Sequence, residues 1–141
     1  MKRTATAVWN GSGKDGNGNL TTQSTTLNKT QYSYKSRFEE GVGTNPEELI
    51  AAAHAGCYTM ALAFALQGAG ITPDSLETTA TITLDVSAGA PTITNSHLVL
   101  KAKIPGISND KFQELAKGAE QGCPVSRVLK AEISLDATLL T

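Results

Sequence analysis

The sequence predicts an α+β fold, and three observations carry that prediction. The first forty residues are rich in Thr, Ser and Gly, with seven Thr among the first thirty residues, a composition of strands and turns rather than of a helical bundle. A single long apolar stretch, Leu49 to Leu66, then interrupts them. The second half returns to period-two alternation, broken once by an amphipathic helix. Strands, buried helix, strands, helix, strand is the order of an α+β protein with sheets covering central helices.

Each element has its own signal. Thr4 to Trp9 reads as a strand, Asn10 to Asn19 as a turn, and Leu20 to Leu27 and Gln31 to Phe38 as further strands. On the last of these, Tyr32, Tyr34 and Phe38 share one side, with Lys35 and Arg37 on the other. Asn45 caps the following helix, Pro46 suits its first position, and Glu48 falls where a capping box places an acid. The stretch LIAAAHAGCYTMALAFAL is apolar on nearly every face, so it should be buried on every face. One sheet covers only one side, which makes a second copy of the chain the simplest cover for the other. Ala51, Ala52, Ala53, Ala55 and Gly56 would allow a close helix approach, and Gly68 and Gly70 end the helix. Beyond it, Ala80, Ile82, Leu84 and Val86 alternate with Thr79, Thr81, Thr83 and Asp85. Leu98, Leu100 and Ala102 lie on a strand ending before Pro105. Ser108 or Asn109 starts a helix with Phe112, Leu115, Ala116 and Ala119 on one face. Ala131 to Leu140 closes the chain with Ile133, Leu135, Ala137 and Leu139 inward.

Composition narrows the function. At 141 residues the chain reads as a single domain, 1–141, large enough for a real core. A net charge of -1 disfavours nucleic acid or an anionic membrane as partner. The Leu49 to Leu66 stretch is mostly Ala and contains Gly, His and Thr, which barely favours lipid. No apolar run at the N-terminus resembles a secretory signal, so a cytoplasmic protein is expected. Two Cys and two His are too few for a structural zinc site, and no metal or cofactor is expected. Gly11, Gly13 and Gly16 match a dinucleotide-binding pattern, but Thr-rich strand sequence follows them where a helix is required.

The two cysteines are the chemistry. Cys57 lies mid-helix, where a cysteine is either a small core residue or a nucleophile. Cys123 tilts the balance, because it follows a helix-terminal Gly and precedes Pro124, a position set by a rigid turn. A nucleophilic thiol needs a cation to favour its thiolate and a second thiol to close its cycle. Arg37 is the best cation, since a guanidinium can bind both thiolate and peroxide oxygen, although on its own a strand arginine reads first as a solvated surface residue. Glu47 has a structural role at the helix N-terminus. It stands ten residues before Cys57, about 15 Å along a straight helix, so it would serve a thiol site only in another subunit. His54, one turn before Cys57, is either a base or a hydrogen-bonded structural residue. Ser126 with His54 or His97 makes no credible hydrolase, because no nucleophile-elbow sequence is present. An interaction scaffold with idle thiols, or a small-ligand module using the apolar helix groove, remains as a rival; either would tolerate Ser at Cys57.

Arg37-Phe38-Glu39, the segment TNPEELIAAAHAGC (Thr44 to Cys57) and GCPVSRVLKAEISLD (Gly122 to Asp136) resemble the OsmC/Ohr family of osmotically inducible and organic hydroperoxide resistance proteins. The SRFEEG segment, His54 and Val125-Ser126 resemble its OsmC branch. The resemblance implies an obligate intertwined homodimer, with antiparallel sheets wrapped around long central helices and active sites at the subunit interface. It also implies a peroxidase of organic hydroperoxides with Cys57 peroxidatic and Cys123 resolving, joined in an intrasubunit disulfide. Arg37 then stabilises the thiolate and polarises the peroxide, and Glu47 holds the arginine. An external dithiol, lipoyl-type by the resemblance, regenerates the enzyme in oxidative or osmotic stress.

Overall fold

The computed structural model describes residues 1–140 as two compact units, Met1–Leu49 and Ile50–Thr141. The first unit holds a three-stranded sheet in the order β1 (Ala5–Asn10), β2 (Asn17–Thr22) and β3 (Thr30–Tyr32), antiparallel throughout. Trp9 and Tyr32 meet edge to face across it, with ring centroids 5.3 Å apart. Gly18 lies between them: a Cβ there would come within 2.6 Å of the Trp9 ring and 2.7 Å of Tyr32. The aromatic pair therefore dictates that residue.

Two expected strands are corrected here. Leu20 to Leu27 pairs only as far as Thr22, because the chain then turns through Thr25 and Lys29, both at positive φ. Gln31 to Phe38 is a three-residue strand followed by a helix, α1 (Tyr34–Phe38). A capping box decides the change: Ser33 accepts from the Ser36 N–H, and the Ser36 side chain accepts from the Ser33 N–H. Tyr34 and Phe38 then stack one turn apart at 5.0 Å, while Tyr32 belongs to the Trp9 pair. Arg37 is thus a helix residue, not the far side of a strand.

The unit boundary falls within α2 (Pro46–Gly68). Its start is as expected: the Asn45 side chain accepts from the Glu48 N–H at 2.8 Å. The reciprocal arm of the expected capping box differs, because the Glu48 carboxylate accepts from the Thr44 hydroxyl. Its end is a Schellman turn, with Gly70 N–H on Gln67 O, Ile71 N–H on Leu66 O, and Gly70 at φ 73.

In the second unit, β4 (Ser75–Asp85) and β6 (Glu132–Leu140) flank β5 (Thr92–Lys103), β4 antiparallel and β6 parallel to it. Parallel pairing needs a crossover, which α3 (Asn109–Gly122) and the unexpected short α4 (Pro124–Val128) provide. Ser108 caps α3. The core gathers Tyr58, Leu62 and Leu66 from α2, Leu98, Leu100 and Ala102 from β5, and Phe112, Ala116 and Ala119 from α3.

That core reaches α2 from one side, as the limited cover of a single sheet leads one to expect. Within the chain, α2 is covered only along the stripe His54, Tyr58, Leu62 and Leu66, whereas Ala52, Ala53, Gly56, Met60 and Phe64 are exposed. The helix is long and apolar enough to cross a membrane by length and composition, yet its buried stripe packs into a protein core.

Candidate active site

The site residues fall into two pairs, one in each unit. In the first unit Arg37 and Glu47 form an ion pair: Nη2 and Nε both donate to Glu47 Oε1, at 2.9 and 3.2 Å. Local structure holds both partners. The Ser33 cap sets α1 and hence Arg37, while the Asn45 cap fixes the first turn of α2 and hence Glu47. Asn45 also ties the two helices together, donating from Nδ2 to Ser36 O at 3.0 Å. Both guanidinium bonds go to a single carboxylate oxygen. Nη1 is therefore outside the pair, and Glu47 Oε2 is buried with no hydrogen-bond partner among the described residues.

In the second unit Cys57 and Cys123 meet, both as free thiols, with their sulfurs 3.0 Å apart. Cys57 projects from the middle of α2 and is half-buried. Cys123 is fully buried at the joint where α3 ends and α4 begins, its backbone N–H on Ala119 O and Pro124 next in the chain. A disulfide needs about 2.05 Å, so the sulfurs would close by about one ångström to bond.

The electrostatics of the pair are unequal. Burial pushes the Cys57 thiol up, the Cys123 thiol adds to that, and the Val125 N–H works against it. Burial also pushes Cys123 up, but the neighbouring Cys57, Ser126 and Val125 outweigh it, leaving Cys123 lowered. No cationic side chain of the second unit is among the groups that shift Cys57.

Behind the thiols lies a group that sequence reasoning only half found. His54 is fully buried, with Nδ1 2.6 Å from Ser96 Oγ and Nε2 2.7 Å from Ser126 Oγ. Ser96 was absent from the candidates, although it left a signal: a polar residue on the apolar face of a strand that continues Leu98, Leu100, Ala102. His97 lies apart from these, bonded to Ser134 and Asp136 on neighbouring β6; the Asp136 side chain is 74% exposed, as befits an open sheet face.

Burial lowers the pKa of His54, which makes a stability prediction. A histidine with a depressed folded-state pKa stabilises the fold fully above its unfolded value of about 6.5. That stability is lost as pH falls from there through the folded pKa, at no more than about 1.4 kcal/mol per pH unit. Between about pH 7.5 and about pH 5.5, the thermal midpoint of the native protein should fall further than that of His54→Leu, which cannot titrate there. Equal falls would mean that His54 takes up protons equally in the folded and unfolded states.

The α+β fold with its juxtaposed thiol pair sets the class of protein to compare, and comparison places the chain. The OsmC-like protein family model matches residues 39–138. The chain is 47% identical to Peroxiredoxin OsmC of Escherichia coli over 94% of its own length and 93% of that protein. It is 33% identical to the Organic hydroperoxide resistance protein of Xanthomonas axonopodis pv. citri, over 70% and 68% of the respective chains. Among solved structures, the OsmC-like protein from Mycoplasma pneumoniae superposes with a TM-score of 0.78 at 17% identity, covering 100% of this chain and 99% of that one. The chain belongs to the OsmC-like family, and its higher identity to Peroxiredoxin OsmC sets it on the OsmC side.

Proposed function

We propose that the protein is a cytoplasmic thiol peroxidase that reduces organic hydroperoxides to alcohols in oxidative or osmotic stress. The observation that carries this reading is the thiol pair at 3.0 Å, with one sulfur reachable and the other fully buried. Exposure supports separate roles: peroxide would reach Cys57, with Cys123 buried behind it. The Cys57 thiolate attacks the terminal peroxide oxygen, forming an S–O bond as the O–O bond breaks. The departing alkoxide takes up a proton to become the alcohol, and Cys57 is left as a sulfenic acid. Cys123 then displaces the hydroxyl, giving a disulfide and water. An external dithiol, lipoyl-type on the strength of the family resemblance, reduces that disulfide by exchange.

Both units work as one domain in a homodimer. The exposed α2 face is apolar and small, from Ala52 to Phe64, the latter 64% exposed, and a groove of about 600 Å³ lined by Gly56, Thr59, Met60, Ala63 and Leu76 runs beside it. A second copy would cover it. The same arrangement supplies the missing cation. Cys57 is held up by burial and needs a positive neighbour to ionise, and the partner subunit's Arg37 would provide one. The orphaned Glu47 Oε2 suits a site completed by another chain, since a buried unpaired acceptor is costly. Arg37 then polarises the peroxide through its free Nη1, and Glu47 fixes its angle.

The apolar surroundings of Cys57 favour alkyl hydroperoxides. With a dithiol reductant, turnover of cumene hydroperoxide should exceed that of hydrogen peroxide at equal concentration by roughly tenfold or more. Equal turnover would remove the substrate preference. Absence of turnover with either peroxide would remove the peroxidase reading.

A further inference from the structure

The peroxide chemistry makes no use of His54, yet this fully buried imidazole lies one helical turn before Cys57 and joins three elements of the second unit. From α2, its Nδ1 meets Ser96 Oγ at 2.6 Å and its Nε2 meets Ser126 Oγ at 2.7 Å. Ser96 is fully buried on β5, the middle strand of its sheet, paired to Ile82 on one side and Ile133 on the other. The ring is thus clamped to a strand that is itself hydrogen-bonded along both edges. A hydroxyl can donate or accept, so both bonds can form in either neutral tautomer.

The far end of this line is a segment with little else to hold it. None of the residues of α4 is buried, and no side-chain hydrogen bond caps its start. Val125 packs against the core only in part, and Val128 is exposed. Among the described residues, Ser126 to His54 is the one side-chain hydrogen bond that α4 makes. Cys123 is both the C-cap of α3 and the N-cap of α4. α3 fixes it from one side, packed through Phe112, Ala116 and Ala119, with the Tyr58 hydroxyl donating to Ala116 O at 3.2 Å. From the other side, its position depends on α4.

The contacts between α2 and this segment form a short ladder. His54 and Cys57 are one turn apart on α2, and Cys123 and Ser126 are one turn apart at the start of α4. His54 meets Ser126, and Cys57 meets Cys123 at 3.0 Å. The two segments therefore run antiparallel, with a hydrogen-bonded rung beside the thiol rung. We propose that His54 is a positioning residue for the resolving thiol: by pinning Ser126 it holds α4 in register on α2 and keeps the Cys123 sulfur within reach of Cys57. The inference rests on the reading of Cys57 and Cys123 as a redox pair. It concerns the step in which the Cys123 thiolate gives an electron pair to the sulfur of the Cys57 sulfenic acid. The S–S bond forms, the S–O bond breaks, and the departing hydroxide takes the proton that Cys123 released, leaving water. An unpinned thiol would be near the sulfenic acid for less of the time, and a second peroxide could then oxidise Cys57 to the sulfinic acid.

The test measures the thiol–disulfide equilibrium of the pair in mixtures of reduced and oxidised glutathione, which reports the effective concentration of one thiol at the other. Ser126→Ala should lower that concentration about fivefold, the worth of one hydrogen bond, and Ser126→Thr, which keeps the hydroxyl, should restore it. His54→Leu should lower it too, with the Ser126 series deciding the matter if that variant does not fold. Under excess cumene hydroperoxide, the ratio of sulfinic acid to disulfide, read by mass spectrometry, should rise about fivefold in Ser126→Ala and return in Ser126→Thr. An equilibrium unchanged in Ser126→Ala overturns the inference, and so does a shift that Ser126→Thr fails to restore, which would assign the effect to packing. If native protein forms no sulfenic acid with peroxide, the peroxidase reading fails instead, and the glutathione equilibrium, which uses no peroxide, still decides the role of His54 and Ser126.

Discussion

Cys57→Ser should lower the rate of organic hydroperoxide reduction by about three orders of magnitude or more, while the protein stays folded. The size of the effect follows from the chemistry. A serine hydroxyl at this position has no base to activate it and cannot cycle through a sulfenic acid. The fold should tolerate the change, because Cys57 is only half-buried and stands beside the core stripe of Tyr58, Leu62 and Leu66 rather than in it. Cys123→Ser should behave differently. It should consume about one equivalent of peroxide per subunit and then stop, because the sulfenic acid forms but has no thiol to resolve it. Peroxide consumption in the absence and presence of dithiol measures both. Equal loss in the two variants under single-turnover conditions would contradict the assignment of separate roles.

Arg37→Ala should slow the first half-reaction by about a hundred- to a thousandfold, the usual cost of removing a charged donor aimed at the reacting oxygens. It should also raise the pH at which Cys57 becomes reactive, since burial then acts on that thiol with no cation to oppose it. The subunit that Arg37 serves can be read from mixed dimers. Arg37→Ala and Cys57→Ser homodimers are each inactive, but a dimer of one with the other contains one site with both residues intact. Random exchange at equal amounts makes half the dimers mixed, so activity should return to about a quarter of the native value. No recovery after verified exchange would mean that each chain uses its own arginine.

Much of the fold was legible because its signals are strong and local. Asn45-Pro46 and the acids behind it mark where α2 begins, and period-two alternation marks β4, β5 and β6 within a few residues. Tyr34 to Phe38 misled because aromatic residues favour strands on average, whereas two serines three apart can close a capping box and start a helix. That competition between a statistical preference and two specific hydrogen bonds has no hydrophobic period to announce it. The open face of α2 was legible as well, in the sense that Leu49 to Leu66 has more apolar surface than one sheet can cover. In the site, each thiol drew attention through its neighbours in sequence, but their meeting at 3.0 Å depends on the β5–α3–α4–β6 crossover. No spacing between positions 57 and 123 encodes it; the family resemblance supplied that expectation. Ser96 was missed because one serine in a strand is unremarkable until the face it points to is known.

The most direct test of the central claim is an anaerobic count of free thiols after one equivalent of cumene hydroperoxide, on native protein and on Cys57→Ser. The native chain should lose both thiols, dithiol should return them, and the lone Cys123 thiol of the variant should survive. Survival of both thiols in the native protein would contradict that claim, and leave the pair at 3.0 Å as a feature of packing rather than of chemistry.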